Sequence, residues 1–202
     1  MIAYASRTGT RSTLAALRGA GWRLLLSATG VHRDEGMPYA IDNGAFTAFQ
    51  QGLAFDADAF ARLLISHGSG ADWIVLPDVV SDRAASLAMS REWLDRLGAG
   101  YPWLLAVQDG MTAADVTPFL PHIRGLAIGG STEWKEQSAA RWGVLCRSEG
   151  KYLHMLRANT ARRLSIAIAA GCDSFDGTSV SRFPSTLDFL DFHRRQTGLG
   201  FL

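Results

Sequence analysis

The stretch DWIVLPDVVSDRAASLAMSREWLDRLGAGYPWLLAVQDG (residues 72–110) decides the fold. It contains two apolar runs, Trp73 to Leu76 and Trp103 to Val107, separated by a segment with helical spacing from Asp82 to Leu97. Both runs are short, rich in large apolar residues and bounded by Pro, Asp or Gly, as buried strands are. The stretch is therefore predicted to form a strand–helix–strand unit with parallel strands.

The same alternation extends along the whole chain. Further strands are predicted at Ile2–Ala5, Trp22–Leu26, Tyr39–Ile41, Gly125–Ile128, Tyr152–Met155 and Ser174–Phe175. Further helices are predicted at Thr13–Gly19, after the capping residue Asp56, and at Ala113–Leu120, Glu133–Arg147, Thr160–Ala170 and Thr186–Gln196. A linker from Thr29 to Met37 replaces the helix that would follow the second strand.

Eight strands in this order predict a compact α/β fold, a (β/α)8 TIM barrel without a helix after strand two. An open doubly wound sheet is the alternative. It is disfavoured because SRTGTRST (residues 6–13), which follows the first strand, lacks the Gly-x-Gly-x-x-Gly pattern of a phosphate loop.

Composition narrows the class of protein. The 202 residues are 48% hydrophobic, which suits a single domain spanning 1–202. The net charge of +1 argues against coating nucleic acid by charge alone. No apolar run of membrane-spanning length occurs, so a soluble, cytoplasmic protein of a bacterial or phage-infected cell is expected, with no membrane partner. Two cysteines and five scattered histidines predict no metal site and no disulfide framework.

Polar groups follow the predicted strands where each one ends. They are Asp42, Asp78, Gln108, Gly129, Gly130, Asp176 and, near the end of strand seven, His154. In a barrel the carboxyl ends of all strands meet at one mouth, where active sites lie. Carboxylates, an amide and exposed backbone N–H groups suit a purine-like heterocycle. Taken singly, each of these residues could also be a turn or cap residue.

The order of these motifs resembles the tRNA-guanine transglycosylase superfamily, and especially its short branch that inserts 7-deazaguanines into DNA. The resemblance covers residues 39–184. It lies in IDNGAF (41–46), VLPD (75–78), LAVQDG (105–110), GLAIGG (125–130) and, most specifically, GCDSFDGTSVSR (171–182).

The resemblance implies a pentosyltransferase that replaces guanine in DNA with a preQ0-like 7-deazaguanine through a covalent aspartyl-glycosyl intermediate. Asp176 would be the nucleophile and Asp42 the general acid/base. Substrate-binding roles would fall to Phe46, Asp78, Gln108, Gly129, Gly130 and His154, and phosphate contacts to Arg182 and Arg157. No cofactor is implied.

The chain departs from the tRNA enzymes because it is shorter and lacks a Cys-x-Cys-x-x-Cys zinc segment. DNA is therefore the expected partner, with tRNA as the alternative. A nucleosidase or glycoside hydrolase that uses water as acceptor stays open, as does a non-catalytic binding subunit.

Overall fold

The computed structural model is a closed barrel of parallel strands in which each strand pairs with its sequence neighbours and the first pairs with the last. It describes residues 1–7, 10–177, 179–182 and 184–195, and the side chains of residues 182 and 184 lie outside the described part. The strands are β1 (Ile2–Ser6), β2 (Arg23–Ser27), β3 (Tyr39–Asp42), β4 (Ile74–Val75), β5 (Trp103–Val107), β6 (Gly125–Ile128), β7 (Tyr152–Met155) and β8 (Ser174–Asp176). The predicted (β/α)8 barrel is confirmed.

Helices connect most of the strands around the outside of the barrel. They are α1 (Arg11–Gly19), α2 (Ala45–Gln50), α3 (Ala57–His67), α4 (Arg83–Leu97), α5 (Ala113–Val116), α6 (Thr132–Ser148), α7 (Ala161–Ala170), α8 (Ser179–Arg182) and α9 (Pro184–Arg195). Short 3-10 helices occupy Gly68–Gly70, Gly98–Gly100 and Thr117–His122. As predicted, β2 runs to β3 without an intervening helix.

Side chains that accept hydrogen bonds from backbone N–H groups set the starts of several helices. Asp56 Oδ1 accepts from Ala59 N at 2.8 Å, and Asp82 Oδ1 accepts from Ala85 N at 2.9 Å. Each contact satisfies one of the N–H groups that a helix leaves unpaired in its first turn. These caps explain why α3 and α4 begin where the sequence predicted.

Two local predictions differ from the structure. The helix α2 was not predicted: it directly follows the turn residues Asp42, Asn43 and Gly44, where Asn43 Oδ1 accepts a 2.8 Å hydrogen bond from Ala45 N. The helix predicted over Ala113–Leu120 is α-helical only to Val116 and continues as a 3-10 helix containing Pro121, which lacks an N–H. Gln196, predicted to end the last helix, lies outside the described residues.

Side chains along each strand point alternately into the barrel and toward the surrounding helices, which gives two separate apolar cores. In β5, Leu104 and Ala106 point into the barrel with Tyr4 and Trp73, while the residues between them pack against the helices. Counting by twos along the strands places Asp42, Gln108, His154 and Asp176 on the inward side. Within the described ranges, no helix is both long and apolar enough to span a bilayer.

Candidate active site

A cavity of about 710 Å³ opens at the carboxyl ends of the strands. Its size is that of a small-molecule site. Among the sequence-predicted residues it is lined by Asp42, Phe46, Asp78, Gln108, Gly129, Arg157 and Asp176. The barrel therefore brings together groups from six separate strand ends.

Asp42 ends β3 and faces this cavity. Its Oδ2 accepts a 3.1 Å hydrogen bond from Gly44 N, so the turn role that the sequence left open is also filled. Burial, followed by the charges of Asp176 and Asp78, raises the pKa of Asp42 to about 7. A carboxyl group with this pKa can both give and take a proton near neutral pH.

Asp78 is held from both sides. Asn43 Nδ2 donates to its Oδ1 at 2.7 Å, and Gln108 Nε2 donates to its Oδ2. Burial raises the pKa of Asp78, and these two hydrogen bonds oppose that rise. Gln108 Oε1 is buried and accepts no hydrogen bond from the described residues. Asp78 and Gln108 therefore present a fixed polar wall with one acceptor left over.

The loop after β6 is closed by Asp109. Its carboxylate accepts from Ser131 N at 2.6 Å and from Ser131 Oγ at 2.5 Å. Gly130 lies between them with a φ of 74°, and a Cβ there would come within 2.3 Å of Asp109 Oδ2. Both the backbone conformation and the available space favour glycine at this position. Gly129 lines the cavity, whereas Gly130 contributes its carbonyl oxygen, which accepts from Arg157 Nη2 at 3.0 Å.

Asp176 ends β8, and within the described residues both hydrogen bonds to its carboxylate are to Oδ1. Arg157 N donates to this atom at 2.8 Å, and His154 Nε2 lies 3.2 Å from it. Oδ2 receives no hydrogen bond from the part of the chain that the structure describes. His154 is fully buried and is absent from the described cavity lining, so it lies beneath the floor and touches Asp176 instead of a ligand.

Arg157 closes one side of the mouth. Its φ of 57° is left-handed, and its guanidinium carbon lies 3.8 Å from the centre of the Phe46 ring. This is a cation–π contact. Burial lowers the pKa of Arg157, while Asp176, Asp42 and Asp78 oppose that change. The guanidinium that the sequence assigned to a nucleic-acid phosphate is thus turned into the cavity.

Lys135 is a cavity residue that the sequence patterns did not predict. It lies on α6, its side chain is 3% exposed, and it lines the cavity. Nζ donates to the carbonyl oxygen of Leu156. Burial, followed by the nearby charge of Arg157, lowers the pKa of Lys135 to about 7, and Asp176 opposes the effect. The signal was present, because Lys135 shares the helical spacing of the buried Ser138, Ala139 and Trp142.

The remaining predicted arginine cannot be placed at the site. The backbone of Arg182 lies in α8, but its side chain is outside the described part. Among the described residues, no group of three or more His, Cys, Asp or Glu side chains is arranged to hold a metal ion. Binding of DNA, tRNA or a 7-deazaguanine base stays a prediction.

Comparisons with known proteins give a fold match but no family match. No protein-family model and no curated protein matches the chain. A solved structure described as "Native KDPGal structure", a KDPGal aldolase, is similar over 99% of this chain and 97% of its own, with a TM-score of 0.60 and 15% identity. At this identity the likeness shows a shared fold.

The fold match is to an aldolase, and no family model or curated protein matches the chain. The identification with the tRNA-guanine transglycosylase superfamily is therefore wrong. With it fall the pentosyltransferase activity and the exchange of guanine for a 7-deazaguanine in DNA. The tRNA enzyme and hydrolase alternatives gain no better support. The physical reason lies in the motifs. Asp-Gly and Gly-Gly segments recur wherever a parallel barrel turns its chain at the carboxyl ends of strands, so their order reflects the fold and not one reaction.

Proposed function

We propose that this protein is an aldolase-type lyase that holds a small hydroxylated carbonyl compound as a Schiff base on Lys135. The observation that carries the proposal is the position of Lys135, whose side chain lines the same cavity as Asp42 and Asp176. Lysine amines that form Schiff bases are activated by desolvation or by a neighbouring cation. Lys135 has both properties, since it is buried and Arg157 lies close enough to lower its pKa.

The reaction uses groups that the cavity already contains. The neutral Lys135 amine attacks the carbonyl carbon, and the carbonyl oxygen leaves as water after two proton transfers. In the cleavage direction a base removes the proton of the hydroxyl two carbons away from the iminium carbon. The carbon–carbon bond then breaks, an aldehyde departs, and its bonding electrons form an enamine on Lys135. Protonation of the enamine carbon and hydrolysis return the free amine and the second product.

Asp42 is suited to move these protons. Its pKa of about 7 matches that of Lys135. A protonated Asp42 carboxyl group and an unprotonated Lys135 amine can therefore be present at the same pH. Arg157 offers a guanidinium to an anionic or carbonyl end of the substrate. Asp78 and Gln108 offer acceptors to its hydroxyl groups. The lyase chemistry of the aldolase with the same fold supports this choice of reaction class.

Reductive trapping tests the proposal. The protein is incubated with pyruvate, dihydroxyacetone or glyceraldehyde, reduced with borohydride, and analysed by peptide mass spectrometry. We expect an adduct on Lys135 for at least one probe and none in Lys135→Met.

The chain supplies a matched control, because its second lysine, Lys151, precedes β7 at the opposite end of the barrel and donates to Ile123 O at 2.9 Å. Lys151→Met should label as the wild type does. Labelling that is absent, or that falls equally on both lysines, would contradict the proposal.

A further inference from the structure

His154 occupies a position that the proposed reaction does not use. It is the third residue of β7, its side chain points into the barrel, and it is fully buried below the cavity. Nδ1 lies 2.7 Å from Ser174 Oγ and Nε2 lies 3.2 Å from Asp176 Oδ1. The imidazole thus links Ser174 and Asp176, which are two positions apart on β8 and lie on the same side of the strand.

The surroundings determine its charge. Trp73 packs against the imidazole with ring centres 4.3 Å apart, and Tyr4 lies across it at 6.0 Å. Burial lowers the pKa of His154, Lys135 acts in the same direction, and Asp176 opposes both. The lowered pKa favours the neutral imidazole.

A neutral imidazole carries one proton, and the partners decide where it lies. Asp176 Oδ1 is an acceptor, so Nε2 carries the proton and donates to it. Nδ1 is then an acceptor, and the hydroxyl of Ser174 donates a hydrogen bond to it. Each ring nitrogen has one matching partner, and the hydrogen bonds run in one direction, from Ser174 to His154 to Asp176.

We propose that His154 is a positioning residue that holds Asp176 Oδ1 from below and leaves Oδ2 for the substrate. Two donors, His154 Nε2 and Arg157 N, converge on the same oxygen. Together they fix the rotation of the carboxylate, which one hydrogen bond would leave free. The inference rests on the proposed function only for what Asp176 does with the substrate.

Two substitutions separate positioning from packing. His154→Gln places an amide N–H where Nε2 stood, whereas His154→Leu fills the space without a donor. The charge of Asp176 contributes to the raised pKa of Asp42, so that pKa reports whether Asp176 is held in place. We expect ¹³C NMR of labelled aspartate to show the Asp42 titration moving down by about one pH unit in His154→Leu and staying in place in His154→Gln.

Activity gives a second readout. With a hydroxylated carbonyl substrate that the wild type cleaves, His154→Leu should lower kcat about tenfold or more while KM and imine trapping stay near wild type, since Lys135 is untouched. His154→Gln should recover most of kcat.

The NMR result stands without any activity, so a failure of the lyase proposal and a failure of this one are distinguishable. Equal Asp42 titrations in the Leu and Gln variants would overturn the positioning role. If His154→Leu does not fold, Ser174→Ala replaces it. ¹⁵N NMR should then show the Nε2–H tautomer of His154 in the wild type and a weakened preference in Ser174→Ala. An Nδ1–H tautomer in the wild type, or no change in Ser174→Ala, would contradict the inference.

Discussion

The backbone N–H of Arg157 donates a 2.8 Å hydrogen bond to Oδ1 of Asp176, so the residue that brings a guanidinium to the mouth also orients a carboxylate on the neighbouring strand. Arg157 makes this contact with a φ of 57°, a backbone conformation that residues other than glycine adopt at a cost in free energy. Backbone strain at β7 and carboxylate geometry at β8 are therefore coupled.

Replacing Arg157 by alanine and by glycine separates these two effects. Both variants lose the guanidinium over Phe46, but glycine adopts the left-handed conformation without strain. We expect Arg157→Gly to be about 1 kcal/mol more stable than Arg157→Ala. Urea unfolding of the two variants measures the difference. An alanine variant as stable as the glycine variant would show that the backbone is unstrained.

Asp42 makes the stability of the protein depend on pH. Its pKa is about 7 in the folded state and near the ordinary value of 3.8 in the unfolded chain, so the folded state binds more protons between these values. The stability from this group is complete below about pH 4 and is lost as the pH rises through 7. We therefore expect Asp42→Asn to be more stable than the wild type at pH 8, on the order of 2 kcal/mol, and little different at pH 4.5.

Urea unfolding at the two pH values measures this effect. If the free energies of unfolding of the wild type and Asp42→Asn differ by the same amount at pH 4.5 and at pH 8, the pKa of Asp42 is not raised. The same variant should lose turnover of any probe that the wild type cleaves.

Asp78 and Gln108 should respond differently to substitution. In Asp78→Asn the Gln108 amide can rotate so that its oxygen accepts from the new amide, and Asn43 still donates to the other side. We expect unchanged or higher stability at pH 8. Gln108→Leu removes the donor to the buried Asp78 Oδ2 and should lower stability by about 2 kcal/mol. Thermal unfolding of the two variants compares them, and the reverse order would refute this description of the polar wall.

Gly125 tests the packing of β6 against β7. A Cβ at this position would lie 1.9 Å from the carbonyl oxygen of Tyr152, which is backbone and cannot move without parting the strands. Gly125→Ala should cost about 3 kcal/mol or more. Gly19 in α1 is the control, because a Cβ there meets no atom within 4 Å. Gly19→Ala should be neutral or stabilise by up to about 1 kcal/mol, and equal losses in both would disprove the steric argument.

Sequence patterns predicted the barrel well because each strand is a short apolar run ended by a turn signal. The bounds of β5, β6 and β7 agree with the prediction to the residue. The sequence also predicted that the polar residues at the strand ends lie together, because the carboxyl ends of all strands in a parallel barrel share one face. Reaction class was not recoverable in the same way, because strand-end motifs serve the turn as well as the chemistry.

Two residues show what the sequence patterns could not predict. His154 was assigned to substrate contact from its place near a strand end, but it lies deeper in the strand, where an inward side chain meets the core. Lys135 was passed over because a lysine in a helix is normally solvated. Its environment depends on the carbonyl of Leu156 and the guanidinium of Arg157, which come from a different βα unit. Helical spacing places Lys135 on the buried side of α6, but these contacts depend on tertiary packing and cannot be predicted from that spacing.

The pairing of β1 with β8 has a consequence for the order of folding. Tyr4 is aligned with Asp176, so closing the barrel joins segments that are far apart in the chain. Contacts of this separation form slowly, because the intervening loop must be ordered first. A nascent chain that has reached β7 but not β8 presents two unpaired strand edges, β1 and β7, and these edges are open to other chains. The carboxylate at the centre of the site thus arrives on the strand that also ends this period of vulnerability to aggregation.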